Sequence, residues 1–260
     1  KNDILKIINS VFSHVEVIYY IRRQDEYSLS AWQQWGIKEG QSYEQYLLST
    51  FKVKLDFKLC IEGFRNIFGS ESLKLGFLHK ATLFKGNLLT DFIFKLGLKS
   101  EEFNLVSDDN IGIQAGYSDL LRRTPNIFNS RSDNRIREFL IKNITHSSEI
   151  IYSKEKPAIF YFYSKKIMEL FEDDNREIHK SYFLDYDFNL LFNKNKYELK
   201  SNTEIFKIEI EQLKNLIVIQ NDLIFTLINR FDKKSNFLNK RLLFQKIKSF
   251  FFRNTRINKK

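Results

Sequence analysis

The stretch VEVIYYI, residues 15–21, constrains the fold more than any other part of the chain. It is a nearly continuous apolar run of strand length with polar or charged residues on both sides. Strands that are buried on both faces, as in parallel sheets covered by helices, have this pattern. The run therefore predicts a buried strand of a parallel sheet.

The segments that follow alternate between helical and strand-like patterns. In chain order, the predictions are a helix over 25–36, a helix over 43–68 capped by Gly69, a strand over 72–78 and a helix over 87–98. This order indicates an α/β fold in which helices flank a parallel sheet. We assign residues 1–192 to this domain.

The second half of the domain has weaker signals. Residues 101–135 are rich in Ser, Asp, Asn and Gly, which predicts a loop with little regular structure. A helix is predicted over 133–144, and another helical region over 154–184, where Pro157 lies near a helix start.

The C-terminal extension, residues 193–232, has a different period. Apolar residues recur at alternating steps of four and three, with isoleucine at three a positions, leucine at two d positions and a polar residue at one d position. This spacing predicts either a coiled coil that forms a homo-oligomer through 206–231, or an amphipathic helix packed on the body. The positions are Phe206, Ile210, Leu213, Ile217, Gln220, Ile224, Leu227 and Phe231.

The net charge of +10 comes from the tail, residues 233–260. The tail contains ten Lys or Arg and no Asp or Glu, so the rest of the chain has 32 basic and 32 acidic residues. Because its cations alternate with apolar residues that include Phe250–Phe252, the tail predicts binding to an anionic membrane surface. A disordered basic tail is the alternative. Nucleic acid is not favoured as a partner, since the body is neutral and lacks the patterns of nucleic-acid-binding domains.

The numbers and spacing of cysteines, histidines and apolar residues exclude several kinds of protein. A single cysteine, Cys60, rules out an internal disulfide framework and a cysteine-based zinc cluster, and the four histidines lack the spacing of metal ligands. No apolar run is long enough to span a membrane. We expect no metal, and a cytoplasmic protein held peripherally on the inner membrane face by its tail.

The predicted first strand ends on two cations, Arg22 and Arg23. Ligands of open parallel sheets bind beyond the carboxyl ends of strands. A helix that begins near Asp25 would add its positive dipole end there, which suits a phosphate, and Ser30 could turn its hydroxyl toward the same anion. The alternative is that the two arginines pair with Asp25 and Glu26.

The stretch IYYIRRQDEYSLSAWQQ, residues 18–34, resembles the 3′-phosphate-binding segment of the P-loop sulfotransferase superfamily. In that segment a strand ends in Arg, and a Ser eight residues later helps to hold the 3′-phosphate of 3′-phosphoadenosine 5′-phosphosulfate (PAPS). The resemblance gives these roles to Arg22 and Ser30, with Arg23 as a supporting charge. Within the superfamily, the segment resembles more specifically the bacterial sulfotransferase-like proteins of surface-polysaccharide gene clusters. The likeness extends over roughly residues 15–192 through the segments 55–78, 87–98 and 171–192.

The resemblance implies transfer of a sulfuryl group from PAPS to a bacterial surface glycan. The superfamily's loop for the 5′-phosphosulfate, a Pro-Lys-Thr-Gly-Thr-like turn, has no counterpart in this sequence, and no catalytic base is assigned. We expect that the sequence lacks this loop because it is truncated; an inactive, divergent member is the other explanation. The second 3′-phosphate element is also not evident, although Arg122, Arg123 and Arg131 could supply cations.

Two functions of other kinds are kept as alternatives. The first is a non-catalytic protein that associates with membranes or with partners through its coiled coil. The second is a glycosyltransferase of polysaccharide biosynthesis.

Overall fold

The computed structural model describes residues 2–104, 115–143, 156–198 and 201–235. This part of the chain is mostly helical and contains a two-stranded parallel sheet. Strand β1 is Val17–Ile21 and strand β2 is Leu73–Phe77, with Ile21 opposite Phe77. The predicted parallel pairing is therefore present, and the coarse α/β class is confirmed.

Helices pack on the strand pair, but of the β1 residues only Ile21 is fully buried, so the prediction of a strand buried on both faces is wrong for most of its length. In the described residues the α-helices are α1 Asn2–Val11, α2 Gln24–Gln34, α3 Tyr43–Lys54, α4 Phe57–Phe68, α5 Leu88–Lys95, α6 Ala115–Arg122, α7 Arg135–Asn143, α8 Ala158–Leu170, α9 Glu172–Tyr182, α10 Phe188–Phe192 and α11 Asn202–Ser235.

The single helix predicted over 43–68 is two helices. The chain leaves α3 at Leu55, and Asp56 then caps α4 by accepting a hydrogen bond of 2.8 Å from the backbone N–H of Leu59. Leu55 and Phe57 are both buried, so the apolar spacing continues across the break. The periodicity could not reveal the break because both helices bury a face in the interior.

The prediction of little regular structure over 101–135 is wrong for part of that segment. Residues 115–122 form α6, and residues 105–114 lie outside the described part. Tyr117 and Leu121, four residues apart, are buried on one face of α6. A single turn of apolar spacing in a polar segment is a weak signal, which is why the sequence did not predict this helix.

Two hydrophobic cores hold the described residues together. One covers the strand pair with Phe57 and Ile61 of α4 and with Leu191 of α10. The other joins α2, α3, α6, α8 and α11, and Phe160 and Ile219 lie at its fully buried centre. The carboxyl end of β1 lies between these cores, because β1 enters the first core and α2 enters the second.

The C-terminal helix α11 packs against α6 and α8. The face that it buries carries Ile208, Gln212 and Ile219. Within the described ranges, no helix is both long enough and apolar enough to cross a membrane. The basic tail predicted to bind membranes lies outside the described residues from position 236 onward.

Gly76 provides a test of the strand pairing. It lies opposite Tyr20, and a Cβ at this position would come within 2.4 Å of the Tyr20 ring. The ring is held because its hydroxyl donates to Asp91 at 2.5 Å. We expect Gly76→Ala to lower the free energy of unfolding in urea by about 1–3 kcal/mol, the usual cost of overpacking.

The matched control is Gly63→Ala in α4, where a Cβ would meet no atom within 4 Å. That variant should gain about 0.5–1 kcal/mol from its helix propensity. Equal effects of the two variants would contradict the observed pairing of β1 with β2.

Candidate functional site

The candidate site is the charged cluster at the carboxyl end of β1. Strand β1 ends at Ile21, and α2 begins at Gln24, so Arg22 and Arg23 form the whole connection. Arg23 is the N-cap residue of α2, and its side chain makes no capping hydrogen bond. The first turn of the helix thus directs backbone N–H groups toward the same end of the strand as the two arginines.

Arg23 and Asp25 form a buried ion pair, with side chains 3% and 0% exposed. The Nε of Arg23 donates to one carboxylate oxygen of Asp25 at 3.1 Å, and its Nη2 donates to the other at 2.8 Å. The Asp25 carboxylate also accepts hydrogen bonds from the Ser164 hydroxyl of α8 and from the backbone N–H of Glu26. Each carboxylate oxygen thus has two donors, which offsets the cost of burying its charge.

The same network extends to the segment after α10. The Nη1 of Arg23 donates to the backbone carbonyl of Asn193 at 2.6 Å, and its guanidinium lies 5.4 Å from the ring centre of Tyr197. Next to it, Gln24 and Asn175 of α9 are fully buried and exchange amide hydrogen bonds of 2.6 and 3.1 Å. Arg23 and Gln24 therefore join α2 to α9 and to the segment that leads to α11.

Glu26 lies at the edge of the cluster. Its Oε1 accepts hydrogen bonds from Lys196 Nζ and from the Tyr197 hydroxyl, each at 2.8 Å. Burial raises the pKa of Glu26, but the hydrogen bond and charge of Lys196, together with Tyr197 and Arg22, outweigh burial and lower that pKa to about 2. The Glu26 carboxylate is therefore ionised, and its Oε1 is already hydrogen-bonded within the protein.

Arg22 is held less firmly than Arg23. It is 27% exposed, and its Nη2 contacts the other Glu26 oxygen at 3.4 Å, the longest of the side-chain hydrogen bonds to Glu26. Ser30 is exposed on α2, one helical turn beyond Glu26 and thus on the same face. The pairing of the two arginines with Asp25 and Glu26, which is the alternative to a phosphate site, is observed.

The serine that reaches into the buried network is Ser28. Its hydroxyl donates to the backbone carbonyl of Asp25 at 2.7 Å and shares a hydrogen bond of 2.6 Å with the Tyr43 hydroxyl. The sequence did not single out Ser28. It lies three residues after Asp25, so it turns back along the helix toward that residue.

The cluster carries an excess of positive charge. A further cation, Lys156, interacts electrostatically with Arg22, Lys196 and both carboxylates, and burial lowers its pKa. The cluster contains four basic and two acidic side chains. Its members are Arg22, Arg23, Lys156 and Lys196 with Asp25 and Glu26. Partly desolvated positive charge beside a helix N-terminus favours an anionic ligand.

A cavity of about 150 Å³ lies next to the cluster, between α9 and residues 188–195. Asn175 and Asn193, which also contact the buried network, are among its lining residues. Glu172 accepts hydrogen bonds at its wall from Arg176 at 2.6 Å and from Lys194 at 2.7 Å. Amides and charged groups of this kind suit a small ligand with several hydroxyl groups.

The other arginines predicted as supplementary cations lie elsewhere. Arg122 and Arg123 both pair with Asp119 on α6, and Arg131 pairs with Glu39.

One further motif bears on the glycosyltransferase alternative. Asp185 and Asp187 have the Asp-x-Asp spacing of a cation-binding motif. Asp187 instead caps α10, accepting hydrogen bonds from the backbone N–H groups of Asn189 and Leu190. In the part of the chain that the structure describes, no group of three His, Cys, Asp or Glu side chains is arranged to hold a metal ion.

Comparisons with protein-family models, with curated proteins and with solved structures find no match. The likeness to P-loop sulfotransferases therefore stays a prediction made from the motif. The geometry of the cluster is independent of it.

The ion pair can be tested by removing one partner. Asp25→Ala leaves the Arg23 charge buried and unpaired, so we expect the free energy of unfolding to fall by about 3–5 kcal/mol. Asp119→Ala, which removes an exposed carboxylate paired with two arginines, is the control and should cost about 1 kcal/mol or less. Urea denaturation measures both values. A similar small cost for the two variants would show that the Asp25 pair is not buried.

The low pKa of Glu26 predicts a pH dependence of stability. Its ordinary pKa is 4.5 and its folded value is about 2. A lowered pKa stabilises the folded state above the ordinary value, and this stabilisation is lost as the pH falls toward the folded value. We expect the free energy of unfolding to drop less between pH 5 and pH 2.5 in Glu26→Gln than in the unmodified protein. Identical pH profiles would contradict this assignment.

Proposed function

We propose that the cluster at the end of β1 binds the 3′-phosphate of PAPS, in a sulfotransferase-like protein that acts on a bacterial surface glycan. The observation that carries the proposal is the excess of basic over acidic side chains, with Arg22 partly exposed, at the carboxyl end of a parallel strand beside the N-terminus of α2. The RRQD motif supports it from the sequence side.

The two arginines make different contacts, and we infer that they have different roles. Arg23 uses its guanidinium on Asp25, on the Asn193 carbonyl and on the Tyr197 ring, so it positions the connection and does not bind the ligand. Arg22 contacts Glu26 through one long hydrogen bond. A phosphate can compete for Arg22 because Glu26 keeps its shorter bonds to Lys196 and Tyr197.

Ser30 would complete the phosphate site from the exposed face of α2, and Lys156 would add positive charge. The neighbouring cavity of about 150 Å³ is the place that we propose for a sugar of the acceptor glycan. In the reaction, a sugar hydroxyl oxygen forms a bond to sulfur and gives up its proton to water, while the bond from sulfur to the phosphate bridge oxygen breaks and 3′-phosphoadenosine 5′-phosphate leaves. No catalytic base is assigned among the residues of this chain.

The donor site can be tested with 3′-phosphoadenosine 5′-phosphate, the product that remains after transfer, by isothermal titration calorimetry. We expect it to bind more tightly than 5′-AMP, which lacks the 3′-phosphate. Arg22→Ala should weaken binding by about 10- to 100-fold, the value of a hydrogen bond to a charged group. Binding of 5′-AMP should be unchanged in that variant.

Arg122→Ala is the matched control, since Arg122 is also a partly exposed arginine paired with a carboxylate on its own helix, and it lies away from the cluster. It should leave the affinity for the 3′-phosphate unchanged. If both nucleotides bind equally, or if neither binds, the cluster is not a 3′-phosphate site.

A further inference from the structure

The predicted heptad seam of α11 is not the face that α11 packs on the body. The buried face carries Ile208, Gln212 and Ile219, with Leu216 and Leu223 partly buried beside them. The seam residues remain exposed instead: Leu213 is 60% and Ile217 57% exposed. Phe206, Ile210, Ile224 and Leu227 are exposed as well.

The heptad seam and the buried face of α11 point in different directions around the helix axis. At 100° per residue, the centre of the seam lies about 110° from the centre of the buried face. A helix laid along the seam would therefore contact α11 from the side, while the body remains on the outer side of each helix. Packing on the body leaves the seam residues exposed, although Leu216 and Leu223, which flank the seam at g positions, contact the body.

We propose that the seam binds the seam of a second copy of this chain, as a parallel two-stranded coiled coil over residues 206–231. The seam is self-complementary in charge. Glu209 occupies a g position and Lys214 the e position five residues later, and a parallel dimer brings Glu209 of one chain to Lys214 of the other twice. Both residues are exposed, and Lys214 has one weak contact, to Glu211 at 3.4 Å.

Gln220 favours the parallel, in-register arrangement. It is the polar residue at a d position, and in a parallel dimer the two Gln220 side chains face each other and form hydrogen bonds. A shifted register places each glutamine against an apolar residue, so its amide loses a partner. With isoleucine at a and leucine at d, the remaining seam is of the two-stranded type.

Sedimentation velocity of the full chain tests the assembly. We expect a dimer, and we expect Ile217→Glu to convert it to a monomer because the variant places a charge in the seam. Phe225→Glu is the matched control: Phe225 is 64% exposed but occupies a b position, away from the seam. It should remain dimeric. A monomeric unmodified chain, or equal effects of the two variants, would overturn the proposal.

Disulfide formation tests the orientation. In a Cys60→Ser background, Leu213→Cys places two thiols opposite each other in a parallel dimer, so oxidation should give a covalent dimer on a non-reducing gel. Val218→Cys, at a b position, should not cross-link. A dimer that forms without cross-linking at 213 would show an antiparallel or shifted pairing and would overturn the parallel arrangement.

The electrostatic part is tested by charge reversal. Glu209→Lys and Lys214→Glu should each raise the dissociation constant of the dimer, and the double variant should restore it because the pairs are re-formed with opposite sign. If the losses of dimer affinity from the two charge reversals simply add in the double variant, the pairing of 209 with 214 between chains is contradicted.

Discussion

The buried ion pair between Arg23 and Asp25 is the interaction on which the arrangement of this protein depends. Two charges taken out of water cost several kcal/mol each unless every donor and acceptor is satisfied. Here the partners come from far along the chain: Ser164 is 139 residues from Asp25, and Asn193 is 170 residues from Arg23. The pair is therefore stable only when α8 and the segment after α10 have docked on the start of α2. The structure at the carboxyl end of β1 therefore depends on the folding of the whole domain.

That dependence also explains how the RRQD motif divides between structure and function. Its last three residues, Arg23, Gln24 and Asp25, are buried and paired within the protein. Arg22 is the member of the motif that keeps a partly exposed cation at the surface. A motif of four consecutive residues can thus be required mainly for packing, with one position available for a ligand. Similarity over RRQD therefore supports mainly the connection between β1 and α2. It supports the proposed anion site only through Arg22.

The sequence predicted the strands well and the site in part. VEVIYYI is a nearly continuous apolar run and SLKLGFL is mostly apolar, and the observed strands lie within two residues of their predicted ends. The pairing of Arg23 with Asp25 could be predicted because they are two residues apart. Ser164, Asn193 and Lys196 could not be, since no local pattern links them to residues 22–26. The break at Asp56 was hidden for a different reason: one apolar period runs through two helices.

Helix α11 shows how one helix can carry two apolar faces, one packed on the body and one exposed. The sequence offered a coiled coil and a body-packed helix as alternatives, but a helix has a full circumference and these two faces differ by about 110°. The body takes the face around Ile219, which is fully buried. The seam then leaves large apolar side chains such as Phe206 and Leu213 in water, and a contiguous apolar strip of this kind is unfavourable on an isolated soluble surface. In the dimer that we propose, a second seam removes that strip from water, and the glutamine at position 220 limits how the two seams can align.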